Sequence, residues 1–162
     1  MKEMFLDLAK YRIQRAFETK KDAEILLKSD NLADAVNRIY YANFYAVKSL
    51  LATKMQDSPK HQIVLQTFHN SFVQPGEVPK EYGLIVDRSY RIRDEGERRE
   101  ALPTISRSEA EALLAESERF LCFARDLLKQ MAINHPQKGE EPSADDKECK
   151  GKKNKPEKSK GE

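Results

Sequence analysis

Residues Leu32 to Met55 read LADAVNRIYYANFYAVKSLLATKM, and this stretch decides the fold. Val36, Tyr40, Phe44 (or Asn43), Val47 and Leu51 fall on one stripe at helical spacing, while Arg38, Tyr41, Tyr45 and Lys48 fall on a neighbouring stripe. A helix with apolar or aromatic residues on both flanks buries more than one side. That is the position of the central member of a helical bundle.

Working outward, the same period continues on both sides. Before it, roughly Phe5 to Lys28 places Phe5, Leu8, Ala9, Ala16, Ala23, Leu26 and Leu27 near helical spacing, and Asp30 and Asn31 break the run and can start the next one. After it, Ser58-Pro59 reads as a helix start with Ser58 as N-cap and Pro59 at the first helical position. This third helix carries His61, Val64, Leu65, Phe68 and Phe72, and Gln74 to Pro79 forms a loop. A fourth helix holds Tyr82, Ile85, Val86, Tyr90 and Ile92 and fades in the charged run around Gly96, with Pro103 ending any continuation. Ser106 and Glu109 have the spacing of a capping box for a last helix, about Arg107 to Ala132, whose Leu113, Leu114, Phe120, Leu121, Phe123, Leu127 and Leu128 face inward. Strand patterning is missing throughout, so the expected fold is all-α: an antiparallel up-and-down bundle of four to five helices.

The chain of 162 residues is one domain long, with a formal charge of +2. Such a balance lacks the global electrostatic footprint of a dedicated nucleic-acid binder, though a local patch is compatible with it. From Asn134 onward there is no Ile, Leu, Val, Met or aromatic residue, so the expected organisation is a bundle over residues 1–133 and a disordered Lys/Glu-rich tail over 134–162. Cys122 and Cys149 cannot make a disulfide framework; the expectation is reduced thiols, with Cys122 as inert core. The N-terminus lacks the apolar centre of a signal peptide, because Asp7, Lys10 and Arg12 interrupt it, and no run suits a membrane span. A cytoplasmic protein that does not engage membranes is expected.

Metal and cofactor chemistry finds no foothold. His61, His69 and His135 do not combine with the cysteines or acids into a ligand motif, and no glycine-rich phosphate loop exists. The polar residues in unexpected places are Asn37, Arg38 and Tyr41 on the most buried helix, His61 at the start of the third and Arg93 on the fourth. Each has an ordinary alternative. Arg93 and Glu97 have the spacing of a solvated i,i+4 pair, and Arg38 can pair with Asp34 one turn earlier. His61 can pack a helix start, and Tyr40 and Tyr41 can be core aromatics with satisfied hydroxyls.

The run Ala35-Val36-Asn37-Arg38-Ile39-Tyr40-Tyr41-Ala42-Asn43-Phe44 resembles the Tyr-Tyr-Ala signature on the second helix of HEPN-domain proteins. Asp22 to Leu27, Lys60-His61 with Phe68 and Phe72, the loop Pro75 to Glu81, and Ile105-Ser106 with Glu109-Ala110 and Phe120 are similar to the family in order and spacing. The resemblance covers about residues 10 to 130. It implies a bundle that homodimerises and that pairs with a minimal nucleotidyltransferase in a two-part, toxin–antitoxin-like module. Some members are metal-independent endoribonucleases using Arg-x4-6-His, the arginine stabilising phosphorane charge and the histidine moving the proton. This chain departs from that pattern: Arg93 stands at the arginine position, but Asp94 to Arg99 contains no histidine. No catalytic residue therefore carries over, and Arg93 transfers only as an anion-binding or conformational residue.

Three readings follow. The first is an interaction module partnered by a nucleotidyltransferase. The second is a ribonuclease toxin with a rearranged site, His61 working with Arg93 or Arg38 through spatial proximity. The third is an RNA- or nucleotide-binding module without chemistry, using Arg38, Arg88, Arg91 and Arg93 and opposed by the neighbouring acids Asp87, Asp94 and Glu95.

Overall fold

The computed structural model describes residues 2–98, 105–133 and 149. The expected stop at Pro103 and the expected tail, Cys149 apart, lie outside the described residues.

Five α-helices, and no strand, occur among the described residues: α1 (Lys2–Lys28), α2 (Leu32–Thr53), α3 (His61–Phe68), α4 (Lys80–Arg98) and α5 (Arg107–Ile133). The all-helical bundle expected from the sequence is what forms, and α2 is its centre, packing against α1, α3, α4 and α5. On α2, Val36, Tyr40, Phe44, Val47 and Leu51 are all buried. Ala35, Ala42, Ala46 and Ala52 of α2 are fully buried, as are Ala16 and Ala23 of α1. Those small side chains let helix axes approach closely, and α1 makes the most extensive contact with α2.

The α1–α2 turn shows how the chain reverses. Asp30 has φ of +62°, its N–H donates to the Leu27 carbonyl (3.1 Å) and the Asn31 N–H donates to Leu26 (2.9 Å). This is a Schellman closure, with Asp in the left-handed position that Asn and Asp tolerate better than most residues. Asn31 then precedes α2 without a side-chain cap. The end of α2 repeats the closure with Met55 at φ +55° and the Gln56 N–H on the Leu51 carbonyl (3.0 Å).

The expected N-cap at Ser58 is corrected. The third helix begins at His61 with Lys60 in the cap position. The Ser58 hydroxyl instead accepts the Lys60 N–H at 3.2 Å, a short turn that satisfies a donor before the helix starts. Pro59 belongs to that turn and disfavours helical backbone at Ser58. Beyond Phe68, α3 widens into a π-turn over His69–Val73, closed by the Gln74 N–H on the His69 carbonyl (2.8 Å). The wider turn leaves Phe68 and Phe72 both fully buried. Gly83 of α4 lies against it: a Cβ there would stand 3.0 Å from His69 Cε1 and 3.2 Å from a Val73 methyl. Helix α4 also runs through Gly96 to Arg98, two residues past the expected fade. The capping box forms as expected, with the Glu109 N–H on the Ser106 hydroxyl (3.2 Å) and the Ser106 N–H on the Glu109 carboxylate (3.4 Å).

Two features of the interior were absent from the sequence reading. Lys20 of α1 is 1% exposed, with its ammonium 3.3 Å from Glu24 and 3.4 Å from Glu118 of α5. Pairing is what makes a buried lysine tolerable, and here it ties α1 to α5. Asn43 is also fully buried, donating to Ser89 of α4 (3.1 Å) and Ser117 of α5 (3.0 Å), so one amide joins three helices.

The reading of the cysteines as reduced thiols is overturned: Cys122 and Cys149 form a disulfide, with Cα atoms 5.9 Å apart. Composition could not show this, because pairing requires residue 149 to return to α5 and pack on the main core, where it is 9% exposed. The bridge closes a separation of 27 residues. By the chain-entropy argument it should add about 3 to 4 kcal/mol to stability. Thermal unfolding with and without a reductant, repeated on Cys149→Ser, measures this; identical curves would show that the bridge contributes nothing.

Candidate functional site

The middle of α2, the first residue of α3 and the Tyr90–Arg93 turn of α4 converge on one cluster. Tyr40 is fully buried at its heart. Its ring lies against Tyr41 (centroids 5.3 Å apart), Phe44 (5.9 Å), Tyr90 of α4 (5.7 Å) and His61 (5.9 Å). The His61 ring stacks on Phe44 at 4.2 Å and meets Tyr41 edge-on at 6.0 Å. From α4, the Arg93 guanidinium sits 4.9 Å from the Tyr40 ring and 5.1 Å from the Tyr41 ring, and it donates a long hydrogen bond (3.4 Å) to the Tyr41 hydroxyl. An arginine over aromatic faces keeps its charge while its plane is held by the rings.

The bond that gives the cluster chemical direction joins the Tyr40 hydroxyl to His61 Nδ1 at 2.7 Å. Burial pushes the Tyr40 pKa well up, opposed by the Arg93 charge, so the phenol keeps its proton. While the imidazole is neutral, the phenol therefore donates to Nδ1 and the ring proton stays on Nε2. When the imidazole is protonated the bond reverses. In both states Nε2 carries a hydrogen: the neutral ring can offer it as a hydrogen bond to a phosphate oxygen, and the imidazolium can also deliver it to a leaving oxygen.

A second layer extends the cluster toward α1. Lys48 lies 5.6 Å from the Phe44 ring, and Arg15 lies 5.5 Å from the Tyr45 ring. The Asp57 carboxylate, in the connection that leads to His61, accepts a hydrogen bond from Arg12 (2.8 Å) and lies 3.2 Å from Lys48. Burial alone would raise the Asp57 pKa, but Arg12 and Lys48 outweigh it and hold the carboxyl below its ordinary range. That clamp anchors the segment that delivers His61 to the cluster.

Of the residues singled out from the sequence, Tyr41, His61 and Arg93 are brought together. Arg38 is exposed, Asn37 is half-buried, and neither joins these hydrogen bonds or ring contacts. The Arg38–Asp34 pair does not form among the described residues, and the Glu97 side chain, the suggested partner of Arg93, lies outside the described side chains. Arg88 is engaged by Glu116 of α5. Tyr40 as the hydrogen-bond partner of His61, and Phe44 and Tyr90 as its walls, were not legible as site residues. Sequence spacing carries no signal that residues 40, 61 and 90 meet. Among the described residues, no three His, Cys, Asp or Glu side chains converge as a metal cage.

Residues 9–127 match the HEPN domain, nearly the whole of the bundle. The chain belongs to the HEPN-domain family. Its relatives include a protein of Thermotoga maritima named "UPF0332 protein", 43% identical over 90 residues, which are 56% of this chain and 68% of the relative. Two proteins of Methanocaldococcus jannaschii are named "Putative toxin MJ0605" and "Putative toxin MJ0142". The first is 35% identical over 74% of this chain and 87% of its own length. The second is 35% identical over 67% and 74% respectively. The HEPN bundle and relatives so named fit a toxin-like HEPN module. No helix among the described residues is long and apolar enough to cross a membrane.

Proposed function

We propose that this HEPN chain is the toxin-like component of a two-part module, that it works as a homodimer, and that its partner is a minimal nucleotidyltransferase. The observation that carries a toxin-like role is the cluster itself: Arg93 and His61, from different helices, share the same two tyrosine rings. A chain serving only as a scaffold has no need to gather a fixed guanidinium and a hydrogen-bonded imidazole at one place. The partner assignment is supported by the family resemblance and by the relatives named as toxins. Co-expression followed by size-exclusion chromatography with light scattering tests it. A heteromer containing both chains is expected, and elution of the two as separate species contradicts the partnership.

A second reading is favoured by the Tyr40–His61 bond: metal-independent RNA cleavage at a non-standard site. In that reaction an RNA 2′-hydroxyl attacks the adjacent phosphorus, its proton passing to water, and the 5′-oxygen leaves. Arg93 offsets the charge on the phosphorane, and the protonated His61 gives its Nε2 proton to the leaving oxygen, becoming the neutral imidazole whose Nδ1 accepts from Tyr40. Tyr40 holds the imidazole in orientation and is a positioning residue. With Nδ1 occupied by Tyr40, one His61 acts as acid rather than as base, so turnover should be slow.

A further inference from the structure

Helix α2 carries a second stripe beside the cluster. Arg38, Tyr41, Tyr45 and Lys48 share one side of the helix over about 15 Å, at 1.5 Å of rise per residue. Arg38 is exposed, and Tyr41, Tyr45 and Lys48 are half-buried, so part of each remains accessible. Every ring along the stripe has a cation beside it: Arg93 by Tyr41, Arg15 by Tyr45 and Lys48 by the adjoining Phe44. Glu18 binds Arg15 at 3.1 Å, and Asp57 is shared by Arg12 and Lys48. Arg12, Arg15 and Lys48 thus share two carboxylates among three cations. Hydrogen bonding by Glu18, and then by Tyr45, further favours the charged form of Arg15.

We propose that the stripe Arg38–Tyr41–Tyr45–Lys48, flanked by Arg15 and Arg93, is a track that binds single-stranded RNA and leads it to His61. Rings alternating with cations are what an unpaired strand requires: each base offers a face for stacking and each phosphate a negative charge. A duplex would hide its bases, and a mostly apolar protein partner would gain little from so many desolvated cations. The stripe also passes the cluster, because Tyr41 touches both Arg93 and His61. The track rests on the reading of RNA as the substrate class, and it adds Arg15, Tyr45 and Lys48, which the chemistry at His61 does not use.

Fluorescence anisotropy with a labelled twelve-nucleotide oligouridylate, at several salt concentrations, tests this on the full chain. Tyr45→Ala should weaken binding by roughly 5- to 150-fold, the range for loss of one stacked base, and Tyr45→Phe should restore most of it. Arg15→Gln should flatten the salt dependence by roughly 0.7 in log–log slope. Tight wild-type binding unchanged by Tyr45→Ala and Arg15→Gln overturns the track while leaving RNA as the substrate class. No binding at low salt overturns both. If the stripe variants disrupt the dimer or the nucleotidyltransferase complex while RNA affinity stays constant, the stripe is a protein interface and the track is wrong.

Discussion

On the ribonuclease reading proposed above, His61→Ala should lower the rate of RNA cleavage by about a hundred- to ten-thousand-fold, the range expected when a positioned general acid is removed. The effect should fall on kcat, because Nε2–H is called on as charge develops on the leaving oxygen. Arg93→Ala produces a loss of about a hundred- to a thousand-fold, typical of removing one preorganised charge partner. Tyr40→Phe separates orientation from chemistry. It preserves the ring contacts with Phe44 and Tyr90 but removes the hydroxyl bonded to Nδ1 at 2.7 Å. Its expected result is a smaller loss with a displaced pH profile, since the His61 ring then loses its fixed tautomer. Single-turnover cleavage of a labelled RNA, with thermal melts to confirm folding, measures all three. Activity that survives both His61→Ala and Arg93→Ala belongs to a contaminant.

The largest expected stability effect lies in the aromatic centre of the bundle. Phe68 is fully buried where α3 passes into the π-turn, with its ring centroid 6.2 Å from Phe72 and 6.0 Å from Phe120 of α5. Phe120 in turn lies 5.9 Å from Tyr82 of α4, so one side chain couples three elements. Phe68→Ala should cost about 3 to 5 kcal/mol, from lost transfer energy and the cavity left behind. That is a large share of the roughly 5 to 15 kcal/mol that keeps a domain folded. Phe68→Leu, which refills much of the space, should cost far less. Urea unfolding gives both values, and a loss below about 1 kcal/mol for alanine would show that the π-turn is free to collapse around the gap.

Much of the fold was legible because it rests on local rules. The period of Val36, Tyr40, Val47 and Leu51 requires a buried helix, and the Ser106–Glu109 spacing makes the capping box that forms. Where local rules compete, the reading failed. Ser58 had the chemistry of an N-cap, but a turn through Pro59 used its hydroxyl first. Nothing local marks Lys20 as buried, because the carboxylate that permits its burial, Glu118, comes from a helix nearly a hundred residues later. The Cys122–Cys149 bridge was hidden for the same reason, since no local pattern announces that residue 149 comes back to the core.

The site divides in the same way. His61 and Arg93 drew notice as polar residues on apolar helices, yet the element that unites them, the Tyr40 ring and hydroxyl, read as ordinary core. Its role is a tertiary property, created when the segment after α2 folds back and sets His61 on Phe44. Arg38 shows the converse. It was conspicuous in the family signature, but it points to no partner in the cluster and gains a place only through the stripe it shares with Tyr41 and Tyr45.

The two-part reading is tested most directly by recovering the tagged chain from its native cells under mild salt and identifying by mass spectrometry what accompanies it. The account predicts a nucleotidyltransferase in stoichiometric amount. Recovery of the chain alone or with RNA, and with no nucleotidyltransferase at any salt concentration, would contradict it.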